Sequence, residues 1–270
     1  MVCEATGCGK KLMTKAKFPI TLLEVTNDNV ADAGIYCVKD KKSPGYLAKL
    51  EWFKDKINKG LKITIATDGK GKQLGFIEYI PSEISWRPIQ ARNYLFIQCI
   101  ALFGKDAREK GTGSLLIKQC EQHAKKHHKS GICTMSSDGP WIANKTLFEK
   151  NKFTIADKLG RFELMVKSFD KKEKIPRFIN WTKHQSSYRG WHLIYSDQCP
   201  WHEKSITSIK QSALDHGLRL TVKKLSTPQE AQNAPSGFGT FSLIKDGKLL
   251  ADHYISKTRF ETILKEESGG

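Results

Sequence analysis

A short glycine-containing segment, Arg108-Glu109-Lys110-Gly111-Thr112-Gly113-Ser114, is the part of the sequence best suited to bind a phosphate group. Glycines at 111 and 113 would let backbone N–H groups approach an anion without an intervening side chain. A helix beginning here would add unpaired N–H groups and the positive end of its dipole. The segment predicts a pyrophosphate site, and an ordinary strand–loop–helix connection is the competing interpretation.

Two elements must position this segment, and the flanking sequence predicts both. Residues 94–103 form a run of aromatic and aliphatic side chains that is typical of a buried strand. Downstream, Leu115, Leu116, Cys120 and His123 recur at the spacing of one helix face. This order of strand, glycine turn and helix would bring the N–H groups together at the start of the helix.

From about residue 20 to 167 the chain resembles the GCN5-related N-acetyltransferase (GNAT) superfamily. The cofactor loop of that family has the pattern Arg/Gln-x-x-Gly-x-Gly/Ala, matched here by Arg108, Gly111 and Gly113. The predicted order of strands and helices also follows the family. The resemblance implies an α/β (α+β) fold with a mixed sheet flanked by helices. It further implies acetyl-CoA as co-substrate, no metal, and a small-molecule or peptide amine as acceptor.

The same resemblance implies three groups of cofactor-binding residues. The end of the predicted strand would line the pantetheine arm and offer an N–H to the thioester oxygen, through Ala101, Leu102 and Phe103. The pyrophosphate would be held by Arg108, Glu109, Lys110, Gly111, Thr112, Gly113 and Ser114. A later segment would contribute Asn144 and Phe148.

At the position of the family's usual proton donor, this chain has a residue that cannot donate. Family members place a tyrosine near the coenzyme sulfur, in the pattern Asn-x-x-Ala-x-x-x-Tyr-x-x-x-Gly-Phe. The tyrosine position holds Phe148 here, and the glycine position holds Lys152. A positioned donor contributes about 10²–10⁴-fold to rate. The sequence leaves open a slower enzyme, a different donor, unassisted departure of the thiolate, or loss of activity.

Three acidic residues are candidates for accepting the proton that the acceptor amine must lose. Glu78 is predicted on the third strand, Glu83 just after it, and Asp138 after the fifth strand. Each could act directly or through water. Glu78 is the preferred catalytic residue, with Asp138 retained beside it; the competing interpretation of Glu78 is an exposed strand residue.

A second, smaller unit is predicted after a charged run that ends at Pro176. The predicted division is a flexible segment at 1–19, the GNAT domain at 20–170, a linker at 171–187 and a second α/β domain at 188–267. This second unit resembles the thioredoxin superfamily. Cys199-Pro-Trp-His202 stands where redox members have Cys-x-x-Cys, and Gly239 replaces their cis-proline. The two units together resemble bacterial proteins of the YoaP type.

Cys199 is the candidate reactive thiol of this second unit. A cysteine at a helix N-terminus is expected to have a lowered pKa and to be nucleophilic. His202 stands where a resolving cysteine would be, so the motif cannot close its own disulfide. Packing is the competing role. The alternative function is an acetyl-CoA-binding thiol adaptor or sensor, in which Cys199 engages a thiol-containing partner without turnover.

Composition limits the other classes of function. The chain has 270 residues and a net charge of +17, spread over both predicted domains without a recognition motif, so nucleic acid is an unlikely partner. No apolar run approaches the ~18–20 residues that span a bilayer, and no export segment is visible. Seven cysteines do not indicate a disulfide framework. The sequence predicts a soluble cytoplasmic protein.

His123, His127 and His128 have a spacing that could suit a zinc site. The preferred interpretation is that these histidines lie at the end of a helix, where they complement its dipole.

Overall fold

The computed structural model describes residues 19–35 and 37–268, except for the side chain of Asp106. The predicted flexible segment at 1–19 lies almost wholly outside this part. The strands are β1 (Thr21–Val25), β2 (Lys62–Thr67), β3 (Gln73–Pro81), β4 (Ile89–Gln90), β5 (Tyr94–Leu102), β6 (Gly131–Ser136), β7 (Thr154–Leu159), β8 (Phe162–Ser168), β9 (Arg177–Phe178), β10 (Trp191–Tyr195), β11 (Leu220–Lys224), β12 (Phe241–Lys245) and β13 (Lys248–Ala251). The helices are α1 (Val30–Ala33), α2 (Pro44–Ile57), α3 (Gly104–Glu109), α4 (Thr112–Lys126), α5 (Lys145–Lys150), α6 (His202–Asp215), α7 (Pro228–Gln232) and α8 (Lys257–Glu267). None of these helices is long and apolar enough to cross a membrane.

Seven strands form one mixed sheet in the order β1-β2-β3-β5-β6-β8-β7. All neighbours are antiparallel except β5 and β6, which run parallel. Parallel neighbours need a crossover connection, and α4 supplies it. Residues of α2 pack with residues of this sheet in one apolar cluster, and residues of α4 pack with the sheet in another. The predicted mixed sheet flanked by helices is therefore confirmed.

Helix α4 is held on the sheet by one apolar stripe. Leu116, Ile117, Cys120 and Ala124 are all buried and recur at helical spacing. They pack in a cluster with residues of β3, β5, β6 and α5. Fully burying a leucine or isoleucine side chain stabilises a fold by about 1.5–3 kcal/mol, so this stripe fixes the start of α4 relative to the end of β5.

A second sheet follows in the order β11-β10-β12-β13, with β10 and β11 parallel and the other pairs antiparallel. α6 and α8 cover one face through Ile206, Ile209, Phe260 and Ile263, all buried. The order of strand, helix, strand, hairpin and terminal helix is the predicted one, with α7 added. The assignment of this unit to the thioredoxin superfamily stays a prediction.

The two sheets share their apolar cores. One cluster joins Phe96 and Leu164 of the larger sheet to Leu193 and Phe241 of the smaller one. The predicted linker region contributes as well, because the buried Trp181 packs edge-to-face on Phe162 and Phe178. The second unit therefore covers part of the first, and the polar groups between the two sheets are buried together.

Candidate active site

The parallel strands β5 and β6 separate part-way along their length. Their register pairs only residues 94–97 with 131–134, whereas β5 continues to Leu102 and β6 to Ser136. At the last pair, the Thr134 hydroxyl donates to the Ile97 carbonyl at 3.0 Å. We call this separation the fork. Beyond it, no strand in the described part of the chain pairs with the β6-facing edge of β5, although the Arg87 guanidinium donates to the Gln98 carbonyl at 3.5 Å.

A β-bulge lies at the fork. In the register of β3 with β5, Glu78 pairs with Cys99 and Tyr79 with Ile97, so Gln98 is the extra residue. The Gln98 side chain is held on both sides: its amide oxygen accepts from the Trp86 N–H at 2.9 Å, and its amide nitrogen donates to Glu78 at 3.1 Å. A bulge turns the strand locally. The end of β5, where residues 101–103 were predicted to line a pantetheine arm, follows directly.

The predicted phosphate-binding residues come together between β5 and α4. Residues 104–109 form the short helix α3 rather than an open loop, and Gly111 is the N-cap of α4. Gly111 has φ of 71°, a conformation that residues with a Cβ rarely adopt, and a Cβ there would point into open space. The buried Thr112 hydroxyl has no hydrogen-bond partner among the described residues. The first N–H groups of α4 lack helical partners, so the turn fits an anion.

Gly113 has a packing role, and its predicted contact with a pyrophosphate stays a prediction. A Cβ at this position would lie 2.9 Å from Cδ1 of Leu147 and 3.2 Å from Cδ1 of Leu102. The absence of a side chain therefore lets α4 pack closely against β5 and α5. Only Gly111 has the conformation and the open surroundings that were expected of both glycines.

A groove of about 640 Å³ opens beside the start of α4. This volume lies in the range of small-molecule sites. Its lining residues are Ile20, Lys110, Gly111, Ser114, Leu115, Lys118, Glu121, Gln122, Lys125 and Asn151. Glu121 pairs with Lys125 at 2.8 Å. No described carboxylate lies within ion-pair distance of Lys110 or Lys118, so the groove is suited to a phosphorylated ligand.

Asn144 is the N-cap of α5 and Phe148 lies within this helix, and both side chains contact other residues of the protein. Asn144 caps the helix by accepting from the Thr146 N–H at 2.9 Å. Its amide also donates to the exposed Asp138 at 2.7 Å. Phe148 is fully buried and packs edge-to-face on Phe153 with ring centres 5.5 Å apart. A contact of Asn144 or Phe148 with a cofactor stays a prediction.

Glu78 is buried, so its interpretation as an exposed strand residue is wrong. One carboxylate oxygen accepts from the Lys49 ammonium at 2.6 Å. The other accepts from the amides of Gln98 at 3.1 Å and Gln198 at 2.9 Å. These donors occupy the carboxylate and neutralise its charge. An amine proton could reach Glu78 only if one of them moved or relayed it, and its role as a base stays a prediction.

Arg87 is buried beside this pair without a carboxylate of its own. Its guanidinium donates to the Trp86 carbonyl at 2.9 Å and to the Thr240 hydroxyl at 3.2 Å. It also lies over the Phe238 ring, 4.7 Å from the ring centre. No described carboxylate lies within ion-pair distance of it. Sequence reasoning missed Lys49, Arg87 and Gln198. Lys49 and Arg87 each stand beside apolar residues, which was their only signal, and Gln198 lies in a polar turn that gave none.

The lowered pKa expected for Cys199 is wrong. α6 begins at His202 with Trp201 as its N-cap, so the sulfur precedes the first turn. Burial raises the pKa of the Cys199 thiol to about 12, against a weaker opposing hydrogen bond from the Trp201 N–H. Burial also lowers the pKa of His202 to about 4, although its Nδ1 bonds to the Ser196 carbonyl at 2.7 Å. A neutral His202 brings no positive charge to the thiol. The reactivity of Cys199 is untested, and its raised pKa favours slow reaction at neutral pH rather than the fast reaction expected from the sequence.

Two aromatic residues meet between the sheets near these groups. Trp141, in the loop between β6 and α5, has φ of 69° and is 58% exposed. Its ring centre lies 4.3 Å from that of Tyr254. Burial raises the pKa of Tyr254, as do the nearby thiols of Cys199, Cys37 and Cys99. The Tyr254 hydroxyl is thus a neutral donor, and within the described residues it has no hydrogen-bond partner.

The histidines at the end of α4 contact other aromatic side chains. Nδ1 of His123 is hydrogen-bonded to the buried Tyr79 hydroxyl at 2.9 Å. The rings of His123 and His127 lie 4.5 Å apart between centres. In the described part of the chain, no group of three His, Cys, Asp or Glu side chains could hold a metal ion.

Comparison with known proteins finds one family model that matches part of the chain and a bacterial relative similar over most of it. A family model described as YoaP-like matches residues 220–262. A Bacillus subtilis protein named "Uncharacterized N-acetyltransferase YoaP" is 28% identical over 248 residues, covering 90% of this chain and 97% of that protein. The resemblance to YoaP-type proteins is confirmed. The YoaP-like region extends from β11 into α8 and includes Thr240 and Tyr254, but not Cys199.

Solved structures of acetyltransferases are also similar to the chain. The GNAT family N-acetyltransferase YhbS of Escherichia coli, in complex with CoA, is 9% identical with a TM-score of 0.43, covering 61% of this chain and 92% of that one. The PaiA N-acetyltransferase of Thermoplasma acidophilum, in complex with coenzyme A, is 17% identical with a TM-score of 0.40, covering 56% and 99%. None of these comparisons supports a thiol adaptor.

Proposed function

We propose that this chain is an acetyl-CoA-dependent N-acetyltransferase that acts on an amine of a small molecule or peptide. The observation that carries the proposal is the fork between β5 and β6, which leads to a helix capped by Gly111. The groove with Lys110 and Lys118 adds positive charge beside that helix. The name of the Bacillus subtilis relative, an N-acetyltransferase, supports the same activity.

Each part of the coenzyme has residues suited to hold it. The backbone of residues 101–103 would run beside the pantetheine arm along the open edge of β5. The N–H groups at the start of α4, with the unpartnered Thr112 hydroxyl, would bind the pyrophosphate. Lys110 and Lys118 would lie beside the remaining phosphate. When bound, the coenzyme supplies a thioester carbonyl for direct attack by the acceptor amine.

Two carboxylates could accept the proton of the acceptor amine. Asp138 is exposed, and among the described residues its hydrogen-bond partner is Asn144, so it could act without rearrangement. Glu78 would accept the proton through the Lys49 ammonium, or directly if the amide of Gln98 or Gln198 moved away. Both remain candidates for the catalytic base, as the sequence predicted, and exchange with solvent favours Asp138.

The leaving thiolate also needs a proton, and Phe148 cannot supply one. Tyr254 is the candidate donor from the smaller sheet, because its hydroxyl is neutral and has no partner among the described residues. Its ring centre lies 4.3 Å from that of Trp141, in the loop that follows β6, one of the two strands that form the fork. The YoaP-like region would in this way complete the site of the larger sheet.

Turnover is the direct test of the proposed activity. The chain is incubated with acetyl-CoA and a panel of amines and peptides, and both products are followed by chromatography and mass. Chromatography is preferable to a thiol reagent, because the more exposed of the seven cysteines would react with the reagent. We expect an acetylated amine and CoA in equal amounts. Failure of every amine, with the folded protein also unable to bind acetyl-CoA, would refute the proposal.

A further inference from the structure

Arg87 is a buried cation that pairs with no carboxylate among the described residues. Its side chain is 5% exposed, and beside it the buried Lys49 and Glu78 pair with each other at 2.6 Å. The Gln198 amide separates this pair from Arg87, because its nitrogen donates to Glu78 at 2.9 Å and its oxygen accepts from Arg87 at 3.5 Å. One buried carboxylate therefore faces two buried cations. Buried charges are normally paired, so the guanidinium is suited to an anion that the described residues do not supply.

The unsatisfied part of the guanidinium is the edge formed by Nε and Nη2. Nη1 donates to a carbonyl at 2.9 Å and to a hydroxyl at 3.2 Å. Nη2 donates to the Gln98 carbonyl at 3.5 Å, longer than the usual range of about 2.7–3.2 Å. Nε has no partner among the described residues.

Another arginine of the chain shows what this edge binds. Nε and Nη2 of Arg161 donate to the two carboxylate oxygens of Asp252, at 2.8 and 2.9 Å. Such bidentate pairs are stronger and more specific than single hydrogen bonds. The same edge of Arg87 could take a carboxylate in this way and give up only the long bond to Gln98.

This edge of Arg87 lies at the fork. Gln98, whose carbonyl accepts from Nη2, directly follows the last pair of β5 with β6. Thr240, whose hydroxyl accepts from Nη1, directly precedes β12 of the smaller sheet. Under the proposed function, the thioester of the coenzyme would lie at the fork and its phosphates at the start of α4. A carboxylate at Arg87 would therefore belong to the acceptor.

His202 gives a second, independent indication of a ligand in this layer. Its Nδ1 must carry the proton of the bond to the Ser196 carbonyl at 2.7 Å, because a carbonyl only accepts. In the neutral ring, Nε2 then keeps a lone pair. The side chain is 1% exposed, and Nε2 has no hydrogen-bond partner among the described residues. An N–H group of a ligand would satisfy it.

A short series of hydrogen bonds joins His202 to Arg87. The Ser196 carbonyl accepts from His202, and the Ser196 N–H donates to the Thr240 carbonyl at 3.0 Å. The Thr240 hydroxyl in turn accepts from Arg87. One free acceptor and one unpaired cation thus lie in the same layer between the sheets. A ligand that carries both an N–H group and an anion would match them.

We propose that the acceptor is an amine that also carries a carboxylate, as an amino acid does, and that Arg87 binds this carboxylate. The inference rests on the proposed function and narrows the amines and peptides considered there. Nε and Nη2 of Arg87 hold the carboxylate as a bidentate pair, and Nε2 of His202 accepts an N–H of the same ligand. Arg87 thereby determines which amines are accepted. An analogue without the carboxylate leaves the buried guanidinium unpaired, which a site of this kind rejects strongly.

Matched acceptors test the proposal on the unchanged chain. Each standard L-amino acid is compared with its α-carboxamide at the same concentration of acetyl-CoA, and the acetylated product is measured by mass. For the amino acids that are acetylated, we expect kcat/KM to exceed that of the carboxamide by about 10²-fold or more. The carboxamide has the less basic amine and so more of the reactive free amine at neutral pH. The amine itself therefore favours the opposite order.

Arg87→Met assigns this preference to the guanidinium. The ratio of kcat/KM between acid and carboxamide should fall by about tenfold or more, mainly through a higher KM for the acid. Arg87→Lys keeps the charge without the two-pronged edge and should restore part of the ratio. Arg177→Met is the matched control. The exposed Arg177 also donates to a backbone carbonyl, at 2.6 Å, and its loss removes the same charge. It should keep the ratio of the parent.

Calorimetric titration of the chain saturated with CoA measures binding of the same acceptors without turnover. Binding of an amino acid but not of its carboxamide, with no acetylation of either, would refute the proposed acetyl transfer and support the carboxylate site. Carboxamides acetylated as fast as amino acids would support the transferase and overturn the carboxylate site. An unchanged ratio in a folded Arg87→Met protein, or no binding of any amino acid, would also overturn it.

Discussion

The buried carboxylate of Glu78 takes its partners from three separate parts of the chain. Lys49 comes from α2, Gln98 from β5, and Gln198 from the turn before α6. Removing one member of a buried ion pair leaves an uncompensated charge, which typically costs about 3–5 kcal/mol. Substitution of Lys49 or Glu78 therefore tests how much this buried ion pair contributes to the stability of the fold.

We expect Lys49→Met to lower the free energy of unfolding by about 3–5 kcal/mol, because the Glu78 carboxylate stays buried without its cation. Adding Glu78→Gln to Lys49→Met should recover a large part of that loss. Urea denaturation at equilibrium measures both variants. A double variant no more stable than Lys49→Met alone would mean that the ion pair does not determine the effect.

The thiols should react in an order set by their surroundings. Because burial raises the pKa of Cys199 from 9.0 to about 12, its thiolate fraction at neutral pH is lower by about 10³-fold. Labelling of Cys199 should accelerate as the pH rises towards 12 and should be slow near neutral pH. Limited iodoacetamide labelling at several pH values, followed by peptide mass spectrometry, ranks the sites. Labelling of Cys199 at the rate of a free thiol would contradict the conclusion that burial raises its pKa.

At the scale of elements, the two glycines of the proposed phosphate-binding turn differ in their surroundings. Gly113→Val should lower the free energy of unfolding by about 1–3 kcal/mol, because its side chain would collide with Leu147 and Leu102. Leu147→Ala in the same chain should recover part of this loss by making room. Urea denaturation compares the two variants. If Gly113→Val were as stable as the parent, close packing of α4 would not explain the glycine.

The elements that position the site were largely predictable, because local patterns specify them. The predicted strand at 94–103 is β5, at 94–102, and the helix after Gly111 begins where the glycine pattern placed it. The bulge at Gln98 was not predicted, since it depends on the register between β3 and β5. The short helix α3 was missed because a single turn has no periodic signal.

The polar groups between the sheets could not be predicted from local sequence. Arg87 and Thr240 are separated by 153 positions, and only the packing of the two sheets brings their side chains together. The raised pKa of Cys199 could not be predicted for the same reason, because it also depends on tertiary packing. A helix start is visible in the sequence, whereas burial of the thiol is not, and burial has the larger effect on its pKa.

At the scale of the whole molecule, the shared apolar cluster should make both sheets unfold together. Its buried residues come from β5, β6 and β8 on one side and from β10, β12 and α8 on the other. We expect one cooperative transition in urea, with tryptophan fluorescence and far-ultraviolet circular dichroism coinciding. Two separated transitions would show that the units at 20–170 and 188–267 are stable independently.

The central claim is that the fork and the Gly111 turn bind acetyl-CoA, and calorimetric titration tests it most directly. Gly111→Val should weaken binding at least tenfold, because its side chain would enter the space left for the pyrophosphate. Gly71→Val is the matched control, since Gly71 has φ of 77° and equally open surroundings on the β2–β3 turn. The account predicts that the parent and Gly71→Val bind acetyl-CoA alike and that Gly111→Val binds weakly. A folded Gly111→Val protein that binds as tightly as the parent would contradict it.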